Sequence, residues 1–138
     1  MKGRLFLDTN IVIDYLSKRE PFGEEAYALF QLRKEWQLCV SALSFTTIYY
    51  VLRKGKDHQS LLVLLGGLCQ LVEVLPTDDR TIVGAISSGF SDFEDAVQYY
   101  TALSFQVDII ITRNVKDYIC SSIPVMTPTE FLSLNKKN

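Results

Sequence analysis

The alternation of apolar and polar positions divides the chain into short apolar runs and helical stripes. Within residues 4–7 (RLFL), the apolar run Leu5 to Leu7 stops at Asp8, and apolar periodicity resumes at Ile11. This predicts a short buried strand and then a helix over 10–17, with Asp8 or Thr9 as its cap. Pro21 opens a second helical segment, in which Ala26, Leu29, Phe30 and Arg33 recur at helical spacing, ending near Trp36. Residues 37–40 read as a second strand. Ser41 or Ser44 then caps a helix carrying Phe45, Ile48, Tyr49 and Leu52 on one face, and Gly55 stops it. A leucine-rich helix over 60–70, a strand over 71–75 and a helix over 78–86, with Asp78 and Asp79 at its start, follow.

Gly89 breaks the chain, and 92–105 is helical again, with Phe93, Ala96, Val97, Tyr100 and Leu103 on one stripe. Residues 107–111 are the most β-branched run and predict a central strand. A short edge strand over 124–126, a closing helix over 128–134 and a polar tail over 135–138 complete the chain. Continuously apolar strands separated by helices indicate a parallel sheet covered on both faces. The fold expected is a single three-layer α/β domain over residues 1–134, with a central, mainly parallel sheet.

Composition narrows the classes. With 138 residues, 48% hydrophobic and 22% charged, the chain matches one ordinary globular domain. Its formal charge of −2 gives no whole-molecule field that recruits polyanions, so nucleic-acid binding would need a local patch. Lys18-Arg19, Arg33-Lys34 and Arg53-Lys54 with Lys56 are candidates, although such pairs are more often solvated helix surface. Cys39, Cys69 and Cys120 are widely spaced, and no signal-peptide pattern precedes the first strand, which favours reduced thiols and a cytoplasmic location. The longest apolar stretch, 61–72, is interrupted by Gly66-Gly67 and Gln70 and is shorter than the roughly 20 residues that span a bilayer. His58 is the single histidine and sits in a polar run, which excludes His-rich zinc sites.

Candidate chemistry lies where an open parallel sheet binds ligands, beyond the carboxyl ends of its strands. Asp8-Thr9-Asn10 follows the first strand there, and Thr112-Arg113-Asn114 with Asp117 follows the central one. A third acidic group, SDFEDA, starts the helix leading into that central strand, and Asp92 and Asp95 share one side of its first turn. Taken singly, each has a structural explanation: Asp8 and Asp92 as helix caps, Asp117 as a turn residue. Taken together, carboxylates that converge stay ionised only around a cation. An all-oxygen site suits Mg²⁺ or Mn²⁺, and phosphodiester hydrolysis is the matching chemistry.

The stretches LFLDTNIVIDYL, VSALSFTTIYYVLRK, DFEDAVQYYTAL and DIIITRNVKDY, in this order, resemble the PIN-domain proteins. The resemblance implies a compact α/β/α sandwich and a Mg²⁺- or Mn²⁺-dependent ribonuclease acting on RNA, of the kind found as toxins beside an antitoxin, and it implies a homodimer. By position it assigns acidic site residues Asp8, Asp95 and Asp117, with Asp92 a neighbour. It places Thr9, Asn10, Thr112 and Asn114 along the same cleft. One position departs: Thr47 stands where many active members carry a glutamate, so the chain is similar to a branch with fewer site charges. Glu94 is a possible substitute, on the same helix as Asp95. A catalytically weak member that binds RNA or protein is the competing expectation. A phosphoryl-transfer domain with an aspartyl nucleophile is disfavoured, because Asn10 stands where the phosphatase pattern needs a second Asp. Tyr27, Phe30, Tyr49 and Tyr50 suit either a dimer surface or the core.

Overall fold

The computed structural model describes residues 1–136 and contains five strands and seven helices. The strands are β1 (Gly3–Leu7), β2 (Trp36–Ser41), β3 (Glu73–Leu75), β4 (Ile109–Ile111) and β5 (Val125–Met126). They lie in the order β3-β2-β1-β4-β5, and every pairing is parallel. The expected edge strand near the C-terminus is β5. The helices are α1 (Thr9–Ser17), α2 (Gly23–Gln31), α3 (Ser44–Leu52), α4 (His58–Leu71), α5 (Asp79–Ile86), α6 (Phe93–Ser104) and α7 (Pro128–Lys136). Among the described residues, no helix is long and apolar enough to cross a membrane.

The period of two along a strand explains the three layers. Leu5 and Leu7 of β1, Leu38 and Val40 of β2 and Ile111 of β4 face one side, where Ile11 and Val12 (α1), Leu29 and Phe30 (α2), Ile48 (α3), Leu61 and Leu68 (α4) and Phe131 (α7) pack on them. Phe6, Cys39 and Ile110, the intervening residues, face the other side with Leu75 (β3), against Tyr99 and Ala102 of α6 and Tyr118. The central strands β1, β2 and β4 are buried on both faces over most of their length, which is why they read as apolar runs, whereas Glu73 and Val74 of the edge strand β3 are exposed.

Several boundaries differ from the pattern. Pro21 does not open α2. It follows a cis peptide and lies in a turn over 18–22, and the helix starts at Gly23, where a Cβ would stand 2.7 Å from the Lys18 carbonyl carbon. The helix ends at Gln31, and Trp36, the expected helix end, is the first residue of β2. Neither Ser41 nor Ser44 caps α3: the Ser41 hydroxyl accepts from the Leu43 N–H at 3.2 Å, and Ser44 is inside the helix. The strand expected over 71–75 is β3 alone, because Leu71 completes α4 and the Val72 N–H bonds back to the Leu68 carbonyl. Asn135 and Lys136, assigned to the polar tail, close the last turn of α7, while 137–138 of that tail lie outside the described residues. Phe30 is fully buried, whereas Tyr27 and Tyr50 are exposed.

The topology fixes where a site can lie. From β1 the chain winds outward to β2 and β3, then crosses back over α5 and α6 to β4 on the other side of β1. The winding reverses between β1 and β4, and the crevice outside their carboxyl ends is the ligand position of such sheets. The Asp8 N–H donates to the Ile111 carbonyl at 3.0 Å, which extends the β1–β4 ladder and pins Asp8 to that crevice.

Candidate metal centre

Asp8 links β1 to α1, but its carboxylate does not cap the helix. The Asp8 backbone carbonyl takes the first helical bond, from the Ile11 N–H at 3.0 Å, and the side chain turns away into the crevice. There its Oδ1 accepts from Gln98 Nε2 at 3.0 Å and its Oδ2 from the Thr112 hydroxyl at 2.7 Å. Asp8 is 6% exposed, and burial raises its pKa against the opposing pull of these two donors.

Asp92 behaves as the cap expected of it, accepting from the Asp95 N–H at 2.9 Å. That bond sets the first turn of α6 so that Asp92, Glu94 and Asp95 edge one cleft of about 270 Å³ together with Asp8, Asn10, Asn114 and Asp117. Asp117 arrives on a 3₁₀ turn, Val115–Tyr118, whose first bond runs from the Asp117 N–H to the Asn114 carbonyl at 3.0 Å. The Asp95 carboxyl is pushed up to about 7, by burial first and then by Asp8, Asp92, Asp117 and Glu94. Glu94 is raised as well, by partial burial of its carboxyl and by Asp8 and Asp92.

A hydrogen-bonded network beneath the cleft holds it in shape. Gln98 is 2% exposed, and its Oε1 accepts from the Thr9 N–H and hydroxyl, both at 3.2 Å, which leaves Nε2 to donate to Asp8. Thr9 in turn shares a 2.7 Å hydrogen bond with Ser44 of α3. Tyr118 donates to Asp95 Oδ1 at 3.4 Å, and burial beside Asp8 and Asp95 drives its hydroxyl far above the usual range, so it stays a donor. Thr112 also accepts from the Asn114 N–H at 3.2 Å, fixing the loop after β4.

The sequence-derived residues therefore divide. Asp8, Asn10, Asp92, Asp95, Asn114 and Asp117 line the cleft, and Thr9 and Thr112 support it from below. Thr47 does not line it. It borders an adjacent pocket of about 260 Å³ with Ser41, Thr46, Phe93 and Val97, and Glu94 lines both spaces. From the sequence, Gln98 and Tyr118 are not assigned to the site, and Ser44 is offered only as a helix cap. Gln98 carried a signal, since it lies three residues after Asp95 on a helix with few other polar side chains on its inner side. Tyr118 offered none beyond its place next to Asp117.

Among the described residues, no three His, Cys, Asp or Glu side chains are grouped closely enough to hold a metal ion as they stand. The donor set of the cleft is carboxylate and amide oxygen, without nitrogen or sulfur ligands. It fits a hard cation such as Mg²⁺ or Mn²⁺, which keeps several waters and needs one or two carboxylates directly. The Asp95 carboxyl is raised by burial first, and the carboxylates around it, with no cation among them, add to that rise.

The family model of the PIN domain matches residues 4–116, a span that includes Asp8, Asp92, Asp95, Thr112 and Asn114 and stops one residue before Asp117. No protein with a curated description matches the sequence. Among solved structures, the chain is similar in fold to VapBC2 from Rickettsia felis bound to a promoter DNA fragment, with a TM-score of 0.70, 15% identity and 90% of this chain covered against 98% of that one. It is similar to DNA-bound VapBC from Salmonella typhimurium, with a TM-score of 0.70, 19% identity and coverage of 91% and 98%. VapC20 from Mycobacterium tuberculosis, described as a sarcin-ricin loop cleaving toxin, matches with a TM-score of 0.61, 13% identity and coverage of 77% and 86%.

Proposed function

This chain belongs to the PIN domain family, and on that premise we propose that it is a divalent-metal-dependent endoribonuclease, the toxin of a toxin–antitoxin pair. The observation that carries the reading is the convergence of Asp8, Asp95 and Asp117, with Asp92 and Glu94, on one cleft at the switch point of the sheet. Asp8, Asp95 and Asp117 would hold Mg²⁺ or Mn²⁺. Such an ion lowers the pKa of an attacking water and offsets negative charge on the phosphate.

The remaining work falls to the protein. Thr112 and Gln98 orient Asp8 by donating to its two oxygens, and both bonds favour its charged form against burial. Tyr118, itself buried, holds Asp95 through its hydroxyl. Asn10 and Asn114 present amides at the cleft edge, suited to orienting a phosphodiester or a ribose hydroxyl. The same reading assigns a small antitoxin protein as partner, a homodimer, and RNA in the cytoplasm as substrate; two of the similar solved structures are VapBC complexes.

A second reading, a PIN domain that binds RNA or protein without cutting, is favoured by one observation: α3 sends no carboxylate into the cleft, and its Thr47 brings a hydroxyl to the adjacent pocket instead. One assay separates the two. Labelled single-stranded RNA is incubated with wild type, Asp8→Asn and Asp95→Asn, each with Mn²⁺ or with chelator. Cleavage is expected from wild type with Mn²⁺ alone. Equal cleavage by all three proteins would place the activity outside this cleft, and folded wild type that binds RNA without cutting it would support the binding module.

A further inference from the structure

Beside the carboxylate cleft lies a second charged cluster that the proposed chemistry does not use. Asp14 follows Asn10 by four residues on α1, hence on the same face, and is 1% exposed. Its Oδ1 accepts from Arg19 Nε at 2.8 Å, and its Oδ2 lies 3.0 Å from Arg113 Nε, too poorly aligned for a hydrogen bond. Arg113 stands between Thr112, whose hydroxyl holds Asp8, and Asn114 in the cleft wall. Its guanidinium carbon sits 3.9 Å from the centre of the Phe22 ring. Arg19 Nη2 reaches the Asn10 side-chain oxygen at 3.5 Å, at the cleft edge.

One buried carboxylate needs one cation to stay charged. Asp14 has two, so these three side chains together carry one positive charge, with Glu25, which accepts from the Thr129 hydroxyl, bordering the same pocket. Arg113 is held at Nε by Asp14 and on its face by Phe22, while neither of its terminal amines hydrogen-bonds to another described residue. With the side chain 24% exposed, that leaves the terminal N–H groups of a braced guanidinium fork open to a ligand, and such a fork reads phosphate oxygens in pairs. The cleft itself repels a polyanion, and the chain as a whole carries −2. A strand seated there therefore needs a local cation to hold its backbone.

We infer that Arg113, braced by Asp14 and Phe22 and flanked by Arg19, binds a backbone phosphate of single-stranded RNA next to the bond in the acidic cleft. The inference rests on the nuclease reading and adds the residues that hold the substrate. Phe22 and Asp14 act through Arg113 and are positioning residues.

The test is fluorescence anisotropy with a labelled single-stranded RNA in chelator, across a salt series, for wild type, Arg113→Ala, Arg113→Lys and Phe22→Leu. Loss of one phosphate contact on a single strand makes the slope of log affinity against log salt shallower by about 0.7, and this is expected for Arg113→Ala with about tenfold weaker binding. Arg113→Lys is expected to keep the slope and bind several-fold more weakly, since the charge stays and the fork is lost. Phe22→Leu, at an exposed side chain whose loss leaves the core untouched, is expected to keep the slope and bind about threefold more weakly. Arg113→Ala and Phe22→Leu with wild-type slope and affinity, beside a wild type that cleaves RNA with Mn²⁺, would overturn the inference and leave the nuclease reading standing. A wild type that neither binds nor cleaves RNA would overturn both. If Arg113→Ala fails to fold, the Phe22→Leu affinity decides.

Discussion

At the scale of single residues, the two aspartates that the sequence offers as helix caps part company. Asp92 is a cap, bonded to the Asp95 N–H, and its place in the cleft follows from that bond. Asp8 leaves the cap role to its backbone and sends its carboxylate into the crevice, where Gln98 and Thr112 meet it. The spacing of residues contained the position of Asp8 but not the direction of its side chain, because that direction is chosen by partners 90 and 104 residues away. Gln98 makes the choice. Gln98→Leu strands the Asp8 Oδ1 and the Thr9 N–H in a buried place, while the Thr9 hydroxyl keeps Ser44, and is expected to cost about 2 kcal/mol in urea unfolding. A loss within about 0.5 kcal/mol of zero would mean the network contributes little. Thr47 shows the reverse: the sequence marks it as a carboxylate missing from the site, yet it borders a neighbouring pocket, and Glu94 lines both spaces.

At the scale of elements, the pattern located each strand and α-helix among the described residues but not the 3₁₀ turn Val115–Tyr118, and the boundaries moved where tertiary contacts outweigh local preference. The stripe on α6 shows why. The periodicity pointed inward at Phe93 and Leu103, which are 55% and 41% exposed, whereas Gln98, Tyr99 and Thr101 are buried. The helix meets the sheet on one flank and α5 on another, so a broad arc is covered and the single stripe of a surface helix does not apply. At the C-terminus the closing helix runs on to Lys136, because Phe131 packs edge-on against Trp36 at 5.2 Å and the Trp36 indole donates to Asn135 at 3.1 Å. Phe131→Ala is expected to cost about 3–5 kcal/mol by chemical denaturation, through loss of a ring that is 1% exposed. A variant that melts like wild type would show α7 to be dispensable.

At the scale of the whole molecule, the parallel order β3-β2-β1-β4-β5 gathers acids from three distant segments at one point, and the protein holds them there at a cost in stability. The sign follows from the pKa values. Asp95 titrates at about 7 when folded and at about 4 when unfolded. Between those values the folded chain keeps a proton that the unfolded chain has lost, so metal-free stability falls as pH rises. Asp8 and Glu94 are shifted the same way. The lowered carboxyls of the caps Asp57 and Asp78 act oppositely, but only in the acid range below about pH 4. The melting temperature of metal-free protein is therefore expected to drop from about pH 5 to about pH 7.5, with a flatter profile in Asp95→Asn, and a rise would contradict the electrostatics of the cleft. Bound cation should relieve the same repulsion. The measurement that bears most directly on the account is calorimetric titration of Mn²⁺ into wild type and Asp95→Asn at neutral pH. Saturable binding by wild type, with proton release and loss of binding in the variant, is the expected result, and folded wild type that takes up no Mn²⁺ at millimolar concentration, or a variant that binds it equally well, would contradict a metal centre built on these carboxylates.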